Sequence, residues 1–188
     1  MLCIKPITKA IKNDKKSFEQ IKQLYQSAFP KQERASLAFL INQTKKDTVR
    51  FDAFYDDDVF VGFTYTISFG GVTYLWYLAI SSEIRSKGYG SQIMQQLREI
   101  YPNNRIVLNL EVQDEFASDS EVKKKRKEFY MRNDYTTSEY SCTFNGNHLD
   151  VMSAGGNVTV NEFLSIFKHY FGPLMYVIAR PKIIGSNS

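Results

Sequence analysis

A mixed α/β fold, built on a mostly antiparallel central sheet with one parallel crossover, is predicted by three features of the 188-residue sequence. Residues 49–80 hold three β-rich runs separated by Asp56-Asp57-Asp58 and Gly70-Gly71, the pattern of an antiparallel meander. The third run passes through a glycine loop into an amphipathic helix and then another strand, and strand-helix-strand requires a parallel crossover. Three capping-box sequences mark helix starts elsewhere: Ser17-Phe18-Glu19-Gln20, Ser118-Asp119-Ser120-Glu121 and Thr159-Val160-Asn161-Glu162.

In order, Leu2 to Ile7 reads as a short strand. Phe18, Ile21, Leu24, Tyr25 and Ala28 recur at helical spacing up to Pro30, and Gln32 to Lys46 reads as a second helix carrying Leu37, Phe39, Leu40 and Ile41. The meander follows as Arg50 to Tyr55, Val59 to Ser68 and Val72 to Ile80. Tyr89, Ile93, Met94, Leu97, Ile100 and Tyr101 then mark a helix that Pro102 ends, and Arg105 to Val112 a strand. A charged helix runs from the second capping box to about Asn133. It is followed by strands at Tyr135 to Phe144 and Leu149 to Ser153. The last capping box opens a helix with Phe163, Leu164, Phe167, Tyr170 and Phe171, stopped by Gly172-Pro173, and Leu174 to Ala179 reads as the final strand. Only Gly185 to Ser188 looks like a loose tail, so one domain over residues 1–188 is expected.

Composition narrows the class. With 43% hydrophobic and 23% charged residues the chain can bury one substantial core. No apolar run approaches the roughly 20 residues that span a bilayer, and Met1-Leu2-Cys3-Ile4-Lys5 opens no signal-peptide core, so no membrane association and a cytoplasmic location are expected. Cys3 and Cys142 form no disulfide framework, and with His148 and His169 as the two histidines no metal site is expected. The net charge of +4 favours anionic ligands. Lys123-Lys124-Lys125-Arg126-Lys127 reads as a solvated helix face; a nucleic-acid partner would rest on that charge alone and would show a steep salt dependence.

The chemistry-bearing segment is Leu75 to Met94: a buried strand, a short cationic glycine loop and the start of a helix. Gly88 and Gly90 allow the backbone N–H groups to approach an anion, the following helix N-terminus adds partial positive charge, and Arg85 and Lys87 add full charges. A dinucleotide fingerprint would need glycine where Ile93 stands, and a P-loop would need lysine within Gly90-Ser91-Gln92.

Arg85-x-x-Gly88-x-Gly90 between an apolar strand and an amphipathic helix resembles the acyl-CoA pyrophosphate loop of the GNAT superfamily of N-acyltransferases. Phe129-Tyr130-Met131-Arg132-Asn133-Asp134-Tyr135 resembles that family's Phe-Tyr-x-x-Asn-Gly-Phe helix ending, with Asp134 in place of glycine; Asp tolerates the left-handed geometry such a turn needs. The resemblance implies helices on both sheet faces, with residues 145–173 as an extra strand-helix segment before the last strand. It implies acetyl-CoA as cosubstrate: Leu78, Ala79 and Ile80 pairing with the pantetheine arm, and Arg85, Ser86, Lys87, Gly88, Tyr89, Gly90 and Ser91 around the pyrophosphate. It further implies the Leu78 N–H as oxyanion donor and Tyr130 as general acid toward the CoA thiolate, with Phe129 facing the core.

The fourth strand, Val72-Thr73-Tyr74-Leu75-Trp76-Tyr77, lacks the carboxylate many family members place there. Glu111, Glu33 or water therefore remain as the general base. Tyr65, Phe69, Tyr74, Trp76 and Tyr77 either line an acceptor pocket or form core, with Glu33 and Trp76 as the substrate contacts. The expected activity is acetyl transfer to a small-molecule or peptide amine; the alternative is a non-catalytic acyl-CoA-binding or sensing module. The aromatic face from Phe163 to Phe171 packs on its own sheet, or else forms a homodimer contact or a lid.

Overall fold

A computed structural model describes residues 2–7, 14–84, 87–112 and 120–185. The meander appears as β2 (Val49–Asp56), β3 (Val59–Phe69) and β4 (Val72–Ile80), preceded by β1 (Cys3–Pro6), α1 (Lys15–Ala28) and α2 (Leu37–Gln43). After it come α3 (Tyr89–Ile100), β5 (Arg105–Glu111), α4 (Ser120–Met131), β6 (Thr136–Phe144), β7 (Asn147–Ala154), α5 (Val160–Ala179) and β8 (Lys182–Ile184). The strands are ordered β1-β2-β3-β4-β5-β7-β6-β8 in a mostly antiparallel sheet with one parallel pair, the fold class predicted from sequence. Among the described residues no helix is long and apolar enough to cross a membrane. The chain divides into two compact units, Met1–Ile67 with Leu75–Ile100, and Ser68–Tyr74 with Tyr101–Ser188.

In the first unit the inward residues of the meander are large rings. Phe51 meets Phe63 and Tyr65 edge-on at 5.5 and 5.4 Å, and Tyr77 meets Tyr25 of α1 edge-on at 5.2 Å. Tyr65 and Tyr77 are buried, which makes them core, whereas Trp76 is half-buried; of the meander residues that belong to the second unit, Tyr74 is buried and Phe69 exposed. The cap of α1 is Asp14, not Ser17: the Asp14 carboxylate accepts from the Ser17 N–H at 3.1 Å and its hydroxyl at 2.7 Å, drawing Ser17 into the first turn. The second helix is shorter than the expected Gln32 to Lys46. A 3-10 turn, Lys31–Glu33, is followed by extended backbone at Arg34, and α2 starts after its Ser36 cap. Phenols hold that interruption. The Tyr77 hydroxyl donates to the Glu33 carbonyl at 2.8 Å and accepts from the Ala35 N–H at 3.2 Å, while Tyr25 donates to the Ala35 carbonyl at 3.0 Å. Backbone groups satisfied this way have no need of helical partners.

In the second unit β5 and β6 both pair antiparallel with β7, and β8 pairs antiparallel with β6. Ser118 and Asp119 of the second predicted capping box lie outside the described residues, and α4 is described from Ser120. The third box forms as written: Thr159 Oγ1 accepts from the Glu162 N–H at 3.3 Å and Glu162 accepts from the Thr159 N–H at 2.9 Å. Phe163, Phe167 and Tyr170 are buried, with Phe167 5.0 Å from Tyr74 and 5.4 Å from Phe144, so this aromatic face packs on strands of its own chain. The expected strand Leu174 to Ala179 is instead helical. Gly172, at φ 73° and ψ 167°, breaks α5, and Pro173 is suited to the first turn of the helical segment that follows. A short apolar run cannot be told from a strand by periodicity, and here the final strand is β8.

Arg105 of β5 binds Glu162 through both guanidinium ends, at 2.6 and 3.1 Å, and also donates to the Asn157 carbonyl at 2.7 Å. Arg105 and the Thr159 N–H together hold the Glu162 carboxyl down at about 2. Because the folded value is depressed, this stabilisation is present above the ordinary glutamate value near pH 4.3 and is lost as pH falls toward 2. Glu162→Gln is expected to lower the denaturation midpoint at pH 6 and to narrow its gap from wild type between about pH 4 and 2. Denaturant melts of both proteins across that range check this; a gap independent of pH would show that the charge contributes nothing.

Candidate active site

Within the first unit, β4 and α3 position the predicted cofactor segment. Leu78 and Ile80 are half-buried while Ala79 is buried, as strand alternation requires. β3 comes unusually close here: a Cβ on Gly62 would collide with the Ala79 carbonyl oxygen and stand 3.1 Å from both the Ala79 carbonyl carbon and the Ile80 Cα, so only glycine permits the approach. The Ser81 N–H donates to the Val61 carbonyl at 2.9 Å, which carries the pairing past the end of β4.

A 3-10 turn, Ser82–Ile84, leads into the loop. Arg85 and Ser86 lie outside the described residues. Lys87 and Gly88 are exposed, and Gly88 has φ 77°, the left-handed region that favours glycine. A Cβ at Gly88 would meet no heavy atom within 4 Å, so the surface over the turn is open. The Gln92 N–H bonds the Gly88 carbonyl at 3.2 Å, as the first turn of α3 closes. The N–H groups of Tyr89, Gly90 and Ser91 precede it and are the donors that helix geometry leaves for an external acceptor. The Tyr89 hydroxyl donates to Asp56 at 2.6 Å, a bond that raises its phenol above the ordinary value, so its backbone rather than its ring tip is the available group.

Two further predicted residues lie in the same unit. Glu33 is in the 3-10 turn with its carbonyl on Tyr77, and Trp76 is half-buried with its ring 5.5 Å from Tyr77. What sequence reading missed is their neighbourhood: Lys31 and Arg34, three apart around the 3-10 turn, line a cleft, and Tyr77 fastens that turn to β4. The spacing of the two cations after Pro30 was the available signal.

Tyr130 and Glu111 belong to the second unit. Tyr130 closes α4, whose end is fixed by the Tyr135 N–H on the Tyr130 carbonyl at 3.1 Å, the Asn133 side chain on the Phe129 carbonyl at 2.8 Å, and Asp134 at φ 66°. Asp134 thus adopts the left-handed turn where the family has glycine. Tyr130 is the buried member of the pair and Phe129 only half-buried, which reverses the expected facing. The Tyr130 ring packs edge-on against Phe129 and Tyr135, and among the described residues its hydroxyl makes no hydrogen bond. Burial pushes its phenol up to about 12, with Arg126 pulling down and Glu111 pushing up. Glu111 is held by Arg126, whose Nη1 donates to both carboxylate oxygens at 2.7 and 2.8 Å. Lys127 pairs with Asp150 of β7 at 2.8 Å, so two members of the cationic run tie α4 to the sheet.

The sequence profile of the acetyltransferase (GNAT) family matches residues 18–120. The chain belongs to that family. GNAT enzymes are acyl-CoA-dependent N-acyltransferases, and acetyl-CoA is the cosubstrate. No curated protein matches the sequence. Among solved structures, the chain is similar to a GNAT-family protein from Bacteroides thetaiotaomicron, with 22% identity, TM-score 0.69, and 93% of this chain and 98% of that one covered. It is also similar to the aminoglycoside 6'-N-acetyltransferase of Enterococcus faecium, with 18% identity, TM-score 0.59, and 81% and 96% covered. A spermidine N-acetyltransferase chimera that includes Vibrio cholerae sequence gives 15% identity, TM-score 0.61, and 81% and 94% covered. These likenesses are of fold. The GNAT profile takes in α1 through β5 and the glycine loop but stops before Tyr130.

Proposed function

We propose that this GNAT enzyme transfers the acetyl group of acetyl-CoA to a primary amine by direct attack within a ternary complex. The observation that carries the reading is the turn at Gly88: a positive-φ glycine under open space, ahead of the first N–H groups of α3, which helix geometry leaves without intrahelical partners. In this reading those N–H groups, with Lys87 and Arg85, hold the pyrophosphate, and the backbone of Leu78 to Ile80 pairs with the pantetheine arm. The Leu78 N–H stabilises the oxyanion that forms as the amine nitrogen bonds the thioester carbon. Tyr130 gives its proton to sulfur as the carbon–sulfur bond breaks, and the amine proton leaves to Glu111, Glu33 or water. Amine acceptors are supported by the neighbouring structures described as aminoglycoside and spermidine N-acetyltransferases. The reading places the enzyme in the cytoplasm.

The second reading, a non-catalytic acyl-CoA-binding module, is favoured by the absence of a carboxylate from β4 and by the engagement of both Glu111 oxygens with Arg126. Purified protein incubated with acetyl-CoA and a panel of primary amines, with release of free thiol followed, separates the two. Acetyltransfer is expected. Binding of acetyl-CoA without turnover on any amine would favour the module. In the same assay Glu111→Gln loses rate at low pH and recovers as pH rises if Glu111 is the base; an unchanged profile assigns the proton to Glu33 or water.

A further inference from the structure

We infer that the cleft between α1 and α2 recognises an anionic group, so that the amines this chain acetylates carry a carboxylate or a phosphate. The acceptor half of this inference rests on the N-acetyltransferase reading; the anion site itself does not.

The cleft has a volume of about 690 Å³ and is lined by Lys22, Lys31 and Arg34 together with Phe18, Tyr25 and Leu37. That volume suits a ligand of amino-acid to short-peptide size. No carboxylate is among the lining residues. Among the described residues Lys22 pairs with Glu19, at 3.4 Å on its own helix, and that pair is exposed. With Lys22 partly offset by Glu19, the positive charge of the lining comes chiefly from Lys31 and Arg34, which repel a polyamine and attract an anion, while Phe18, Tyr25 and Leu37 supply apolar wall for the ligand's body.

The floor is rigid where it matters. Arg34 stands in extended backbone between Glu33 and Ala35, whose main-chain groups are bonded by Tyr77 and Tyr25 at 2.8 to 3.2 Å. Burial raises the Tyr25 phenol, and the Arg34 guanidinium is near enough to offset part of that rise, which puts its charge beside the cleft wall. A planar guanidinium on a fixed backbone suits bidentate capture of a carboxylate or phosphate, with Lys31 as the second charge. Tyr77 also joins the cleft to β4, because the residue after it is Leu78, whose backbone is assigned to the thioester.

The test compares matched acceptors on wild type and on the double variant Lys31→Gln with Arg34→Gln. The pairs are γ-aminobutyrate against γ-aminobutyramide, and phosphoethanolamine against ethanolamine, with spermidine as the polycation. In at least one pair the wild type is expected to favour the anion in kcat/KM by about 10- to 100-fold. The double variant should bring that ratio near one while keeping acetyl-CoA affinity and melting temperature, and the responding pair identifies the anion. Wild-type ratios near one in both pairs, or spermidine preferred to every anionic acceptor, would overturn the inference. If no amine is turned over, calorimetric titration of acetate and inorganic phosphate into the acetyl-CoA-loaded proteins decides. Binding to wild type that the double variant loses sustains the anion site while the acetyltransfer reading fails, and no binding overturns both.

Discussion

Gly88→Glu is expected to abolish the rise in melting temperature that acetyl-CoA gives the wild-type protein. With micromolar-scale affinity, ligand at one hundred times its dissociation constant stabilises by about 2.7 kcal/mol. For a chain of this size that is a shift of roughly 5–10 °C. The glutamate acts twice: its side chain fills the space that lies open above the turn, and its charge opposes a pyrophosphate at the first N–H groups of α3. Since Gly88 has φ 77°, any L side chain also brings backbone strain, which must be separated from lost binding. Gly88→Asn does so, because asparagine tolerates the left-handed region yet still places a side chain over the turn. Without ligand Gly88→Asn should melt near wild type and Gly88→Glu somewhat below it, and both should show little or no shift with ligand. A full acetyl-CoA shift in either folded variant would move the phosphate site away from this loop.

Where local chemistry is strong, sequence and structure agree. β4 has the bounds read from its apolar run, and the Thr159–Glu162 capping box forms with both of its hydrogen bonds. The misreadings have both near and distant causes. Asp14 takes the cap from Ser17 because its carboxylate reaches both the N–H and the hydroxyl of that residue. The helix expected from Gln32 is interrupted because Tyr77, more than 40 positions away (|i−j| = 44), claims the Glu33 carbonyl. No local pattern contains that bond. Leu174 to Ala179 is apolar enough for a strand, but it follows a glycine break and a proline that favours a helix start, and Leu174 and Ile178 remain 83% and 81% exposed. For the site, the glycine loop was legible because its chemistry is local. The cationic cleft was not, since Lys22, Lys31 and Arg34 become a lining only when two helices and a 3-10 turn are assembled.

Tyr130→Phe is expected to lower kcat by about 10- to 10³-fold while leaving acetyl-CoA binding and melting temperature unchanged. Stability should hold because, among the described residues, the hydroxyl makes no hydrogen bond, so its removal strands no partner. The demand on the phenol follows from its surroundings. Burial takes it up to about 12, so it carries its proton throughout an ordinary assay range and is always available to give. Against a free thiol near 8.5 the transfer would run uphill by about 3.5 units, or nearly 5 kcal/mol. It becomes workable because a thiolate formed in water-poor surroundings is itself destabilised, which raises the thiol toward the phenol. Arg126 pulls the phenol down and Glu111 pushes it up, and the two are bonded to each other. Arg126→Gln therefore leaves Glu111 unopposed, raises the phenol further and should slow the enzyme in the same direction as Tyr130→Phe but less. In the Tyr130→Phe background the Arg126 change should then cost little, since the proton it tunes is gone. Steady-state kcat for the two single variants and the double variant checks the whole chain of reasoning. Equal kcat for wild type and Tyr130→Phe would reduce Tyr130 to a packing residue, and additive losses would separate Arg126 from the proton.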